Sequence, residues 1–182
     1  MRVLKLFLQF TAFIMLFIIL ACTSTKFSAI WKDETYQGPP KKILVINTFQ
    51  DPSVRRIFED EMVKALKDHK VDAVVKYTAM TPDTAVPDKD AIAAQAKEVG
   101  ADTVLITKPT GARRDPSGSG AGGDSYLNTR TDIYDMKTNK LISFASAETR
   151  IRESTTGMDH YIKQVPSYVK DIVNKLSKAG LF

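Results

Sequence analysis

An almost unbroken apolar run opens the chain, from Leu6 to Leu20, with Gln9 and Thr11 as its only polar members. From Thr23 to Pro40 periodicity lapses, and Gly38-Pro39-Pro40 ends the stretch, so residues 22–40 read as a tether leading into a fold. Lys41 to Phe49 is continuously apolar after its two lysines, the pattern of a strand buried on both faces. Asp51 and Pro52 then supply an N-cap and a first helical residue. Val54, Ile57, Phe58, Met62, Ala65 and Leu66 recur on one helical face. A Val-rich second strand runs from Val71 to Tyr77, and a break with two prolines spans Met80 to Pro87. Asp88 to Val99 is a short helix stopped by Gly100, and Ala101 to Thr107 is a third strand. Two strand–helix–strand steps with short joints imply parallel strands with right-handed crossovers.

The rhythm changes after Thr107. Thr110 to Ser125, with Gly111, Gly118, Gly120, Gly122 and Gly123, reads as a loop. Tyr126 to Asp135 alternates as a strand, Met136 to Asn139 turns, and Lys140 to Arg152 returns, which makes a hairpin and a mixed sheet. Met158 to Lys178 is helical, with Val165, Tyr168, Val169, Ile172, Val173 and Leu176 as its stripe and Pro166 as a kink or restart. Leu181 and Phe182 are placed to fold back on the core. The expected architecture is one α/β domain at 41–182, order β-α-β-α-β-β-β-α, with helices on a five-stranded mixed sheet.

The opening run has a compartment to announce. Arg2 and Lys5 precede it, and Ile19-Leu20-Ala21-Cys22 follows it, giving the basic, apolar and small-residue regions of a secretory signal over residues 1–21. A membrane-spanning helix is the competing reading, but spanning takes about 20 apolar residues and this run is shorter. Ile19-Leu20-Ala21-Cys22 resembles the lipobox of bacterial lipoproteins. That resemblance implies diacylglyceryl transfer to the Cys22 thiol, cleavage before it and acylation of the new amine. A thiolate is the nucleophile such a transfer needs. Thr23 follows where enteric inner-membrane lipoproteins carry Asp, so the resemblance implies an outer-membrane protein facing the periplasm. Cys22 is also the only cysteine, so a secreted domain here must stand without disulfides.

Removing residues 1–21 from 182 leaves 161, enough for one domain with a sizeable core. The formal charge is +5, or +3 without Arg2 and Lys5, spread along the chain rather than gathered in a stripe. So mild an excess reads first as a well-solvated surface; behind a signal peptide the sharper reading is weak attraction toward anionic headgroups or cell-wall polymers, and not toward nucleic acid.

Candidate chemistry is sparse. The glycine-rich loop 118–123 is followed by a strand and lacks a Gly-Lys-Ser/Thr ending, so a phosphate cradle is disfavoured. His69 and His160 have no second ligand at metal spacing, and no metal or cofactor is expected. Glu59, Asp60 and Glu61 are consecutive on a helix and read as a solvated face beside Arg55 and Arg56. No nucleophile-elbow motif is present, so no catalytic residue is named. Trp31 and Tyr36 are aromatics out of place in a flexible tether and are expected to pack back onto the domain. The partner-contact candidates are Trp31, as the sharper alternative, and Arg113 and Arg114, in the expected loop, where they could grip an acidic partner.

Trp31-Lys32-Asp33, Pro40-Lys41-Lys42-Ile43-Leu44-Val45, Arg55 to Asp60, Gly100 to Leu105 and Tyr134 to Thr138 together resemble a group of small bacterial envelope lipoproteins. The element order is also similar to the α/β domain of the TolB N-terminal region, the curli secretion lipoprotein and the lipoprotein activators of penicillin-binding proteins. Those relatives imply an envelope domain that binds protein partners without catalysis. The expectation is therefore a non-enzymatic, membrane-anchored accessory or protein-binding module in the periplasm. The alternative is a periplasmic ligand-binding module or an atypical hydrolase acting on cell-wall or lipid material.

Overall fold

The computed structural model describes residues 25–76, 88–116, 124–152 and 157–182. Its elements are β1 (Thr25–Lys32), β2 (Lys42–Asn47), α1 (Pro52–Asp68), β3 (Asp72–Val75), α2 (Lys89–Val99), β4 (Thr103–Asp115), β5 (Asp124–Asp135), β6 (Lys140–Arg152) and α3 (Gly157–Lys178). One six-stranded sheet runs β1-β6-β5-β4-β2-β3. β2 is parallel to β3 and β4, while β4, β5, β6 and β1 pair antiparallel in turn. The expected mixed α/β fold is present, with six strands instead of five.

The extra strand is β1, in the segment read as a tether. Thr25 to Lys32 pairs with Thr149 to Ser143 and forms one edge of the sheet. Thr25 is buried and Phe27 packs against the core, but a bulge between Phe27 and Ala29 breaks the alternation they begin, which would announce a strand. Lys32 Nζ then donates to the Gly180 carbonyl at 2.6 Å, tying the strand to the chain's last residues.

Both faces of β2 are covered. Ile43 and Val45 join α1 and α3 in the larger core, and Leu44 and Ile46 join Ile92 and Ala96 of α2 in the smaller one. Asp51 caps α1 by accepting from the Ser53 and Val54 amides at 2.8 and 3.0 Å, ahead of Pro52. Gly100 closes α2 in the left-handed region, at φ +67°. Phe58, fully buried, lies between Phe49 and Tyr168, which seats α1 against α3. Leu181 returns to the core as expected, and Phe182 packs against it.

The second difference concerns the long loop. β4 continues to Asp115 and β5 starts at Asp124, so half of the residues read as loop lie in strands. Pro109 and Gly111 fall at a bulge, and β4 pairs with β2 only as far as Thr107. A proline is tolerated at such a place because its missing N–H forfeits no ladder bond. The glycine-rich residues 118–123 lie outside the described residues.

Candidate functional site

The described surface offers its most distinctive chemistry on the outer side of β5, β6 and β1. α3 covers the opposite side, and α2 packs over β2, β3 and β4 instead. Alternation sends Tyr126, Asn128, Arg130, Asp132 and Tyr134 of β5 outward, while Leu127, Thr129, Thr131 and Ile133 turn toward the helices. Register then sets Arg130 beside Phe144, through Asp132↔Phe144 and Arg130↔Ser146, and sets Phe144 opposite Trp31.

These three side chains form one row across three strands. The Arg130 guanidinium carbon lies 4.0 Å from the Phe144 ring centre. Trp31 stacks on Phe144 at 5.9 Å with 26° between planes. Trp31 is nonetheless 42% exposed, and its neighbour Ile30 is 37% exposed. Trp31 thus packs back on the domain, as its place near the chain start suggests for an aromatic, while keeping a free edge on an outer strand. Asp132 sits beneath the row, almost fully buried, accepting from Arg130 at 2.6 Å and facing Lys108 at 3.0 Å. One carboxylate against two cations leaves this part of the face positive.

Arg113 belongs to the same face. Its Nε and Nη2 both donate to the Glu148 carboxylate at 2.9 Å, and its guanidinium lies 3.7 Å over the Tyr126 ring. The hydrogen bonds from Arg113 hold the Glu148 carboxyl below the usual range. This arginine is placed by strand pairing and fixed by a cross-strand fork, not carried on a loop. Arg114, one position along β4, pairs with Ser125 and faces the other side, so the two arginines do not form one grip. Cys22 lies outside the described residues.

Two buried polar places were not foreseen. Glu59 is not on a solvated face: it is buried, and Oε1 accepts from the Asn47 amide at 2.8 Å. Burial pushes its carboxyl up to about 7, against the opposing pull of that amide and of Arg55. Spacing held the clue, because Glu59, Met62 and Leu66 fall at i, i+3 and i+7. The second place lies under α3, where Leu127, Thr149, Gln164, Val165 and Tyr168 line a small, apolar-walled cavity with room for a water-sized guest. Tyr168 hydroxyl pairs with Thr129, Thr25 with Thr149 at 3.3 Å, and Asp171, raised by burial, with Thr25. Among the described residues, Gln164 Oε1 and Asp171 Oδ2 are buried without a partner.

Among the described residues no three or more His, Cys, Asp or Glu side chains gather as a metal site would require, and no helix is long and apolar enough to cross a membrane. No family model and no curated protein matches the chain. Solved structures do. The PelC dodecamer of Paraburkholderia phytofirmans is similar over 84% of this chain and 96% of its own, at 14% identity and a TM-score of 0.54. The protein XCC0632 of Xanthomonas campestris, of the DUF330 family, is similar over 82% and 91%, at 8% identity and a TM-score of 0.50. The lipoprotein GNA1162 of Neisseria meningitidis covers 76% and 99%, at 15% identity and a TM-score of 0.44. At such identities the PelC and XCC0632 likenesses establish a shared fold.

Proposed function

We propose that this chain is a bacterial envelope lipoprotein, held at the membrane through Cys22, whose α/β domain acts as a non-enzymatic protein-binding or accessory module. The row Trp31–Phe144–Arg130 carries the binding half of this reading. An exposed tryptophan backed by a stacked phenylalanine and an arginine is the composition that dominates contact energy at protein interfaces. The lipobox carries the other half, with Cys22 as the acylated residue. A fold shared with PelC, a dodecamer, supports a domain whose surface works by contact. The outer membrane, on its periplasmic side, is the location that Thr23 after the lipobox favours.

Mass spectrometry of the mature N-terminal peptide, with Cys22→Ala as control, tests the anchor. A peptide that begins at Cys22 with acyl mass is expected, and an uncleaved Met1 form would sink it. Photocrosslinking in intact envelopes tests the module. Specific adducts from position 31 or 130 that vanish with Phe144→Ala are expected; their absence at every outer-face position would count decisively against the module. A ligand-binding or hydrolytic role would call instead for a deep polar pocket with converging ionisable groups.

A further inference from the structure

With β1 in the sheet, Thr25 is the third residue after Cys22. Three extended residues span at most about 11 Å. The strand, and the sheet with it, therefore begins within about 11 Å of the lipid attachment point. Register shows what else lies at that end. Thr25 pairs with Thr149 and Lys26 with Glu148, Tyr126 with Arg150, and Asp124 with both Asp115 and Arg152. Because β4 reaches Asp115 while β2 stops opposite Thr107, these antiparallel strands project beyond the parallel half as a tip. Lys26, Arg113, Arg114 and Arg150 outnumber Asp115, Asp124 and Glu148 there, with Arg113 bound to Glu148 and Arg150 to Asp124.

We infer that this tip, formed by the start of β1, the end of β4, the start of β5 and the end of β6, rests on anionic phospholipid headgroups. The inference rests on the proposed lipidation of Cys22. Each basic residue near an anionic surface adds an attraction that is small alone but effective in a tip already held in place by acyl chains. The strands then stand away from the bilayer. Trp31, six residues along β1 from Thr25, lies about 20 Å further out, with its outer-face row presented to the periplasm.

Trp31 is the only tryptophan, so its position can be read by fluorescence in the acylated full protein. The protein is reconstituted in vesicles of equimolar phosphatidylcholine and phosphatidylglycerol carrying a short-range quencher on a headgroup. Trp31 should be little quenched. The indole introduced by Tyr126→Trp in a Trp31→Phe background should be quenched several-fold more. That excess should fall by half or more in pure phosphatidylcholine, and likewise with Lys26→Gln and Arg114→Gln, two exposed positions whose change leaves the core intact. Equal quenching at the two positions, or a tip signal indifferent to lipid charge and to both substitutions, overturns the inference. Loss of acyl mass on Cys22 would instead remove the anchor reading, and the N-terminal peptide distinguishes the two failures.

Discussion

The Asn47 amide donates to Glu59 Oε1 across 2.8 Å, joining the last residue of β2 to the buried side of α1. The carboxyl titrates at about 7 instead of 4.5, since burial disfavours its charge more than the amide favours it. Between those values the unfolded chain holds fewer protons than the native one. The stability tied to protonated Glu59 is therefore complete below about pH 4.5 and is lost as pH rises through 7, by about 3 kcal/mol at most. Glu59→Gln keeps an acceptor without a charge. Denaturation at pH 5 and pH 8 should show the substitution stabilising the protein at the higher pH and changing little at the lower. Equal effects at both would refute the assignment.

Phe58 and Ile30 mark the ends of a packing scale. Phe58 is fully enclosed between Phe49 and Tyr168, so Phe58→Ala should cost about 3–5 kcal/mol in urea unfolding. Ile30 is 37% exposed on an edge strand, and Ile30→Ala should cost less than about 1 kcal/mol. Comparable losses would mean that β1 carries more of the core than its exposure indicates.

Gly100 has φ +67° and open space where a Cβ would go. Gly100→Ala should thus destabilise through backbone conformation alone, by about 1 kcal/mol, without disturbing neighbours. Gly100→Asn should recover part of the loss, because asparagine tolerates the left-handed region. If both variants melt alike, conformation is not the cause.

Gln164 places a buried acceptor, unpartnered among the described residues, beside Leu127 and Val165. Gln164→Met removes the acceptor at similar volume and should leave stability unchanged or raise it by up to about 1 kcal/mol. A clear loss would show that the amide holds a bound water the cavity needs.

The strands and helices of the parallel half were legible because each carries one unbroken signal: a doubly covered strand at Ile43–Ile46, a cap at Asp51, a stop at Gly100. Where two signals overlap, legibility failed. A bulge hid the alternation of β1, and Pro109 with Gly111 made a paired strand look like loop. At Glu59, two acidic neighbours outweighed a helical position that faces inward. Of the candidate contacts, Trp31 was visible as an aromatic out of place in a linker. Phe144 and Arg130 were not, since only strand register brings them beside it.

The clasp between β1 and β6 also orders events in time. Thr25 and its partner Thr149 are 124 residues apart, so β1 finds no mate until β6 has been made. Until then the sheet lacks an edge, and the Lys32–Gly180 tie cannot form. A nascent chain would thus carry β1 unpaired through most of its synthesis, and would close this edge of the sheet only once β6 is in place.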